Sequence, residues 1–135
     1  MVRERYQANQ KLNRRSSRLK KKSILIIENY TELAKTFSLI LQKNGYSTDT
    51  AETTIEALEK IRNNQYSTVL IDDEPPNINT SLILQELNKQ KTVKIVITDH
   101  PEKAVSNGAD ACINKIVKMD ELILLLLTKE KLRRK

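Results

Sequence analysis

The 135-residue chain carries 24 Lys/Arg against 17 Asp/Glu, one cysteine and one histidine. That length suits one domain with a packed core and leaves no room for a second catalytic one. A single cysteine, Cys112, excludes an internal disulfide and any cysteine-based zinc cluster, and the lone His100 removes most metal-ligand and Ser-His schemes. No apolar run approaches the roughly 20 residues of a membrane span, and Met1 to Lys22 lacks the apolar region of a signal peptide, so a cytoplasmic protein is expected.

The net charge of +7 is unevenly spread. Residues 1–22 hold nine Lys/Arg and one Glu, and residues 129–135 hold five and one. The body between them therefore has ten basic and fifteen acidic residues, a net of −5. Basic tails flank an acidic domain.

In chain order, residues 1–22 have little apolar content and no steady period, which predicts a mobile arm. "SILIIE" is a continuous apolar strand of the type buried on both faces. "NYTELAKTFSLILQKNG" follows with Leu33, Phe37, Ile40 and Leu41 at helical spacing, Asn29 and Glu32 resembling a capping pair, and Gly45 suited to the position after the helix. "YSTDT" reads as a polar edge strand, followed by a helix started by Thr53 and Glu56 with an inner face of Ile55, Leu58 and Ile61. "STVLIDD" is the third strand. After a Pro-containing loop, "SLILQELNK" is a helix with Leu82, Leu84 and Leu87 as its buried positions. "TVKIVIT" and "DACIN" complete the strands, with room between them for about two helical turns. The last helix, "MDELILLLLTKEKLRRK", ends the chain.

Strands alternating with helices imply a three-layer α/β domain, a parallel sheet covered on both faces, over 23–128. Ligands of such sheets bind beyond the carboxyl ends of the strands. Those ends carry Glu28 and Asn29, then Asp72, Asp73 and Glu74, then Thr98 and Asp99, and Lys115. Carboxylates, a hydroxyl and a lysine converging there suit a Mg²⁺-type cation and a phosphoryl group, and supply a carboxylate nucleophile able to form an aspartyl phosphate.

"IIEN", "LIDDEPPN", "VIT" and "GADACINKI" fall in order at successive strand ends, and over residues 23 to about 128 the chain resembles the receiver domain of two-component response regulators. The resemblance implies a flavodoxin-like, doubly wound five-stranded sheet of order 2-1-3-4-5. It implies Asp72 as phosphoacceptor, Thr98 as the hydroxyl that follows the phosphoryl group and Lys115 as its ion-pair partner. A Mg²⁺ ion would be held by Glu28, Asn29, Asp72 and the backbone carbonyl of Glu74. A sensor histidine kinase or small phosphodonor and a downstream protein are the implied partners, with no enzymatic activity implied.

Several positions depart from the family's pattern. Asn29 replaces the principal metal-binding aspartate and carries no formal charge. Asn77 replaces a glycine, Ile116 a proline, and Asp99 a small residue beside the threonine; Cys112 occupies the place of the aromatic switch residue. Lys115 reads either as the pocket lysine or as a surface one, and Asn29 either as a helix cap or as a weak metal ligand. Asp73, one residue beyond the phosphoacceptor position, is expected to face water.

Two functions follow: a stand-alone atypical receiver phosphorylated on Asp72 and acting through protein contacts, or a phosphorylation-independent pseudo-receiver that binds or dimerises. The run "LILLLL" in the last helix suits a homodimer contact or a helix covered by the arm. Arg14, Arg15, Arg18, Lys20, Lys21 and Lys22 suit non-specific nucleic-acid contact through phosphates, or a solvated extension.

Overall fold

The computed structural model describes residues 22–73 and 75–114. Among the described residues, five strands alternate with four helices: β1 (Ser23–Ile27), α1 (Thr31–Lys43), β2 (Ser47–Ala51), α2 (Thr54–Asn63), β3 (Thr68–Asp72), α3 (Thr80–Leu87), β4 (Val93–Ile97), α4 (Pro101–Ser106) and β5 (Ala111–Ile113). The strands form one parallel sheet in the order β2-β1-β3-β4-β5. The basic arm, Glu74, Lys115, Ile116 and the last helix lie outside the described residues.

The period-two alternation of β-branched and aliphatic residues splits the core into two layers. Leu25, Ile27, Val69, Ile71 and Val96 face one side, where Ala57 and Ile61 of α2, Ile83, Leu84 and Leu87 of α3 and Ala104 of α4 cover them. Ile24, Ile26, Leu70, Ile95 and Ile97 face the other, under Phe37 and Leu41 of α1. β1, β3 and β4 are buried along their whole length, which explains their mainly apolar composition. β2 stands at the edge with a polar outer row.

The helix stripes differ from the sequence reading in three places. Leu33 is exposed and Ala34 takes its place inward, with Ile40 only partly covered. On α2 Ile55 is 72% exposed and Ala57 packs instead, while Leu58 and Ile61 do face the core. On α3 Leu82 is exposed and Ile83 is buried beside Leu84 and Leu87. In each case another apolar residue one or two positions along competes for the stripe, and where the helix axis meets the sheet decides between them.

Thr53 caps α2 as its spacing predicts, accepting the Glu56 N–H at 3.2 Å. Asn29 does not cap α1; Tyr30 occupies the N-cap position without a side-chain bond. Gly45 follows α1 at φ +91°, a conformation costly for any residue with a Cβ.

Candidate functional site

At the carboxyl edge of the sheet, the β1/β3 register ends on Ile27 beside Ile71. The next residue on each strand is a carboxylate, so Glu28 and Asp72 stand side by side, and both are buried. Their parity matches Ile26 and Leu70, so they belong to the same side of the sheet. The Tyr30 N–H donates to Glu28 Oε1 at 3.1 Å and holds the glutamate at the start of α1. On the other side of β3, Asp72 pairs in register with Ile97, which sets Thr98 one residue farther along β4. The Thr98 N–H donates to the Ile113 carbonyl at 2.9 Å, extending the sheet and fixing the buried threonine at the lip.

Asp73 is half-buried and hydrogen-bonded rather than the freely solvated turn acid expected from the sequence. It lies on the opposite side from Asp72, as alternation requires, but Thr98 shares that side. The Thr98 hydroxyl donates to Asp73 Oδ2 at 3.0 Å, and the Asp73 N–H donates to the Ile97 carbonyl at 3.0 Å. The same hydroxyl oxygen accepts the His100 N–H at 2.9 Å. Parity along β3 and β4 carried this signal: Asp73 falls in step with Ile71, and Thr98 with Val96, in one layer. Asp99, by contrast, is exposed.

Asn77 is the second residue whose role the sequence did not reveal. Its Nδ2 donates to Asn29 Oδ1 at 3.0 Å, tying the loop after β3 to the end of β1. Thr54 anchors the same loop, donating to the Asn77 carbonyl at 2.9 Å and accepting the Asn79 N–H at 2.8 Å. Cys112 packs against the layer containing Val96, and its thiol donates weakly to the Pro101 carbonyl at 3.7 Å. Burial pushes the thiol's pKa up, and the nearby Asp73 charge adds to the shift.

Next to Asp73, the loop after β3, the start of α3 and the flank of α4 enclose a cleft of about 280 Å³ lined by Pro76, Ile78, Asn79, Thr80, Ser81, Lys103, Ala104 and Asn107. It lies on the α3/α4 side of the sheet, away from the layer that Glu28 and Asp72 share.

The donor chemistry at the lip fits a hard divalent cation: two buried carboxylates and an amide oxygen, with no soft ligand among them. Among the described residues no group of three or more His, Cys, Asp or Glu gathers to hold a metal. Of the cation's expected ligands, Glu28, Asp72 and Asn29 share the lip and Asn29's oxygen is already engaged by Asn77, while Glu74 lies outside the described residues, as does Lys115. Among the arm residues expected to meet nucleic acid, Arg14, Arg15, Arg18, Lys20 and Lys21 lie outside the described residues, and Lys22 places its ammonium 6.0 Å from the Tyr46 ring centre. No described helix is long and apolar enough to cross a membrane.

A doubly wound α/β domain of strand order β2-β1-β3-β4-β5, with buried acids at the β1 and β3 ends and a threonine at the β4 end, has the layout of a signalling receiver domain. The chain belongs to the response regulator receiver domain family, whose sequence model matches residues 24–127. It is 30% identical over 106 residues to the transcriptional regulatory protein CpxR homolog of Haemophilus influenzae, covering 74% of this chain and 46% of that protein. Against the response regulator ArlR of Staphylococcus saprophyticus the identity is 32% over 106 residues, covering 74% and 48%. The chain thus spans about half the length of these curated relatives. Among solved structures, a CheY-like receiver domain protein of Methanospirillum hungatei superposes with a TM-score of 0.77 at 28% identity, covering 84% of this chain and 96% of that one. The response regulator TrrA of Thermotoga maritima, solved in complex with Mg²⁺ and BeF, gives 0.71 at 29% identity, covering 81% and 98%.

Proposed function

We propose that this receiver is phosphorylated on Asp72 within a two-component pathway and signals through protein contacts. The pairing of Glu28 and Asp72, both buried at adjacent strand ends with Thr98 at the next, supports this reading most directly. An Asp72 carboxylate oxygen attacks the phosphorus of a phosphohistidine or small phosphodonor; the donor's bond to phosphorus breaks and an acyl phosphate forms. Glu28, Asp72, the Asn29 amide and the Glu74 carbonyl would hold Mg²⁺, which when bound neutralises charge on the phosphoryl oxygens. Lys115 and Thr98 are the proposed phosphate contacts. A histidine kinase is the proposed donor, by analogy with the family.

The test is a titration of the full chain with beryllofluoride and Mg²⁺ followed by amide chemical shifts. Saturable shifts around Asp72 and Thr98, abolished by Asp72→Asn, support the reading. No response at millimolar Mg²⁺ removes it.

A second reading, a phosphorylation-independent binding or dimerisation module, draws on the Asn29–Asn77 bond. That bond joins the β1 end to the β3 loop without a cation, a link the family is expected to make through metal. On this reading the basic arm contacts nucleic acid phosphates and the last helix supports a homodimer. A gel shift with and without residues 1–22 tests the arm, and an unchanged mobility on truncation rejects it.

A further inference from the structure

We propose that Asp73 is a positioning residue that latches Thr98 away from the phosphoryl site, so that phosphoryl capture must first break the Asp73–Thr98 hydrogen bond. The proposal rests on Asp72 being the phosphoacceptor.

A threonine hydroxyl has one proton to donate. Here that proton goes to Asp73 Oδ2 at 3.0 Å, and the oxygen is further committed as acceptor of the His100 N–H at 2.9 Å. The hydroxyl therefore cannot donate to a phosphoryl oxygen while the contact stands. The acceptor is a carboxylate, which makes the bond stronger than one to a neutral oxygen. It is also well anchored: the Asp73 backbone continues the β3/β4 ladder by donating to Ile97, and the Thr98 N–H donates to Ile113. Both ends of the latch are thus set by the sheet rather than by a loop.

The released carboxylate has somewhere to go. Asp73 borders the cleft of about 280 Å³, which Lys103 also lines, so a rotated carboxylate meets solvent and a cation-bearing wall. Two arrangements of one side chain, bonded to Thr98 or turned into the cleft, give the element its two states, and a phosphoryl group that needs the Thr98 hydroxyl favours the second. Cys112 reports on the same carboxylate, because the Asp73 charge contributes to its elevated pKa.

The experiment measures beryllofluoride affinity at saturating Mg²⁺ on the full chain, with the Thr98 methyl and His100 amide shifts as the spectroscopic record. Asp73→Ala removes the acceptor, and its affinity is expected to rise about tenfold, equivalent to about 1.4 kcal/mol. Asp73→Asn keeps an acceptor oxygen without the charge and is expected to fall between Ala and wild type. Asp73→Leu repeats the test should the Ala variant not fold. Wild-type affinity in Asp73→Ala overturns the latch, as does an Asn variant equal to Ala, which would assign the effect to charge alone. Absence of any response in every variant instead overturns Asp72 as phosphoacceptor and the latch with it, whereas a normal wild-type response unmoved by Asp73 substitution overturns the latch alone.

Discussion

Asp110 holds Lys94 at two points: its Oδ2 accepts the Lys94 backbone N–H at 2.7 Å and stands 3.5 Å from the lysine's ammonium. Lys94 is a buried cation in the middle of an apolar strand, with the Thr92 carbonyl at 3.5 Å as its other contact. The Asp110 N–H returns the bond to the Lys94 carbonyl at 2.8 Å. Asp110→Ala leaves that ammonium without its counter-charge, and because the aspartate is itself partly exposed the expected loss is about 1–3 kcal/mol. Urea unfolding of the variant and of Asp110→Asn, which keeps an acceptor for the N–H and costs less, checks this.

Gly108 and Gly45 both adopt positive φ, +104° and +91°, yet substitution should affect them unequally. A Cβ at Gly108 would stand 2.5 to 2.9 Å from the Asn88 side chain, which donates to the Asn107 carbonyl. At Gly45 the nearest side-chain atom is 3.9 Å away. Gly45→Ala is expected to cost about 1 kcal/mol from backbone conformation alone. Gly108→Ala adds displacement of Asn88 and costs more. A shared urea midpoint for the two variants would show that the Asn88 contact gives way freely.

Leu84→Ala empties a fully buried position between α3 and the sheet, and is expected to destabilise by about 2–5 kcal/mol. Ile55→Ala and Leu82→Ala, on exposed faces, are expected to stay within about 0.5 kcal/mol of wild type. Thermal melts of the three variants separate the observed helix faces from the stripes expected from spacing.

Cys112 is the chain's only cysteine, so its titration can be followed without interference. Burial first, and the Asp73 charge second, favour the neutral thiol. The thiolate fraction at pH 8 is therefore lower than for a free cysteine of pKa about 8.5. The rate of alkylation by iodoacetamide against pH is expected to have its midpoint above that value, and Asp73→Asn is expected to lower the midpoint while leaving the larger effect of burial. A midpoint at or below 8.5 in the wild type contradicts the assignment.

The strands and the residues at their ends were legible because fully buried parallel strands need apolar runs, and "SILII" and "TVLI" have them, whereas the strand order came only with the family resemblance. The helix faces were less so. Leu33 beside Ala34, and Leu82 beside Ile83, offer two adjacent apolar choices, and a small alanine facing the sheet is chosen by close packing that hydropathy does not record. At the site, Glu28, Asp72 and Thr98 could be placed by counting to the end of each strand. The Asp73–Thr98 bond required cross-strand register as well, and the Asn29–Asn77 bond joins residues 48 apart through a loop that no periodicity describes.

The order β2-β1-β3-β4-β5 also bears on how the chain acquires its shape. No two neighbouring strands are joined by a tight hairpin; the link between Ser23 and Ser67, for example, closes 44 residues of chain. Such non-local pairing slows folding relative to a helical bundle of the same size. Emergence from the ribosome eases the problem, since β2 joins β1, β3 takes the free edge of β1, and β4 and β5 then extend the growing side in turn. Each strand meets an open edge at the moment it is made, and none has to be inserted between two already paired.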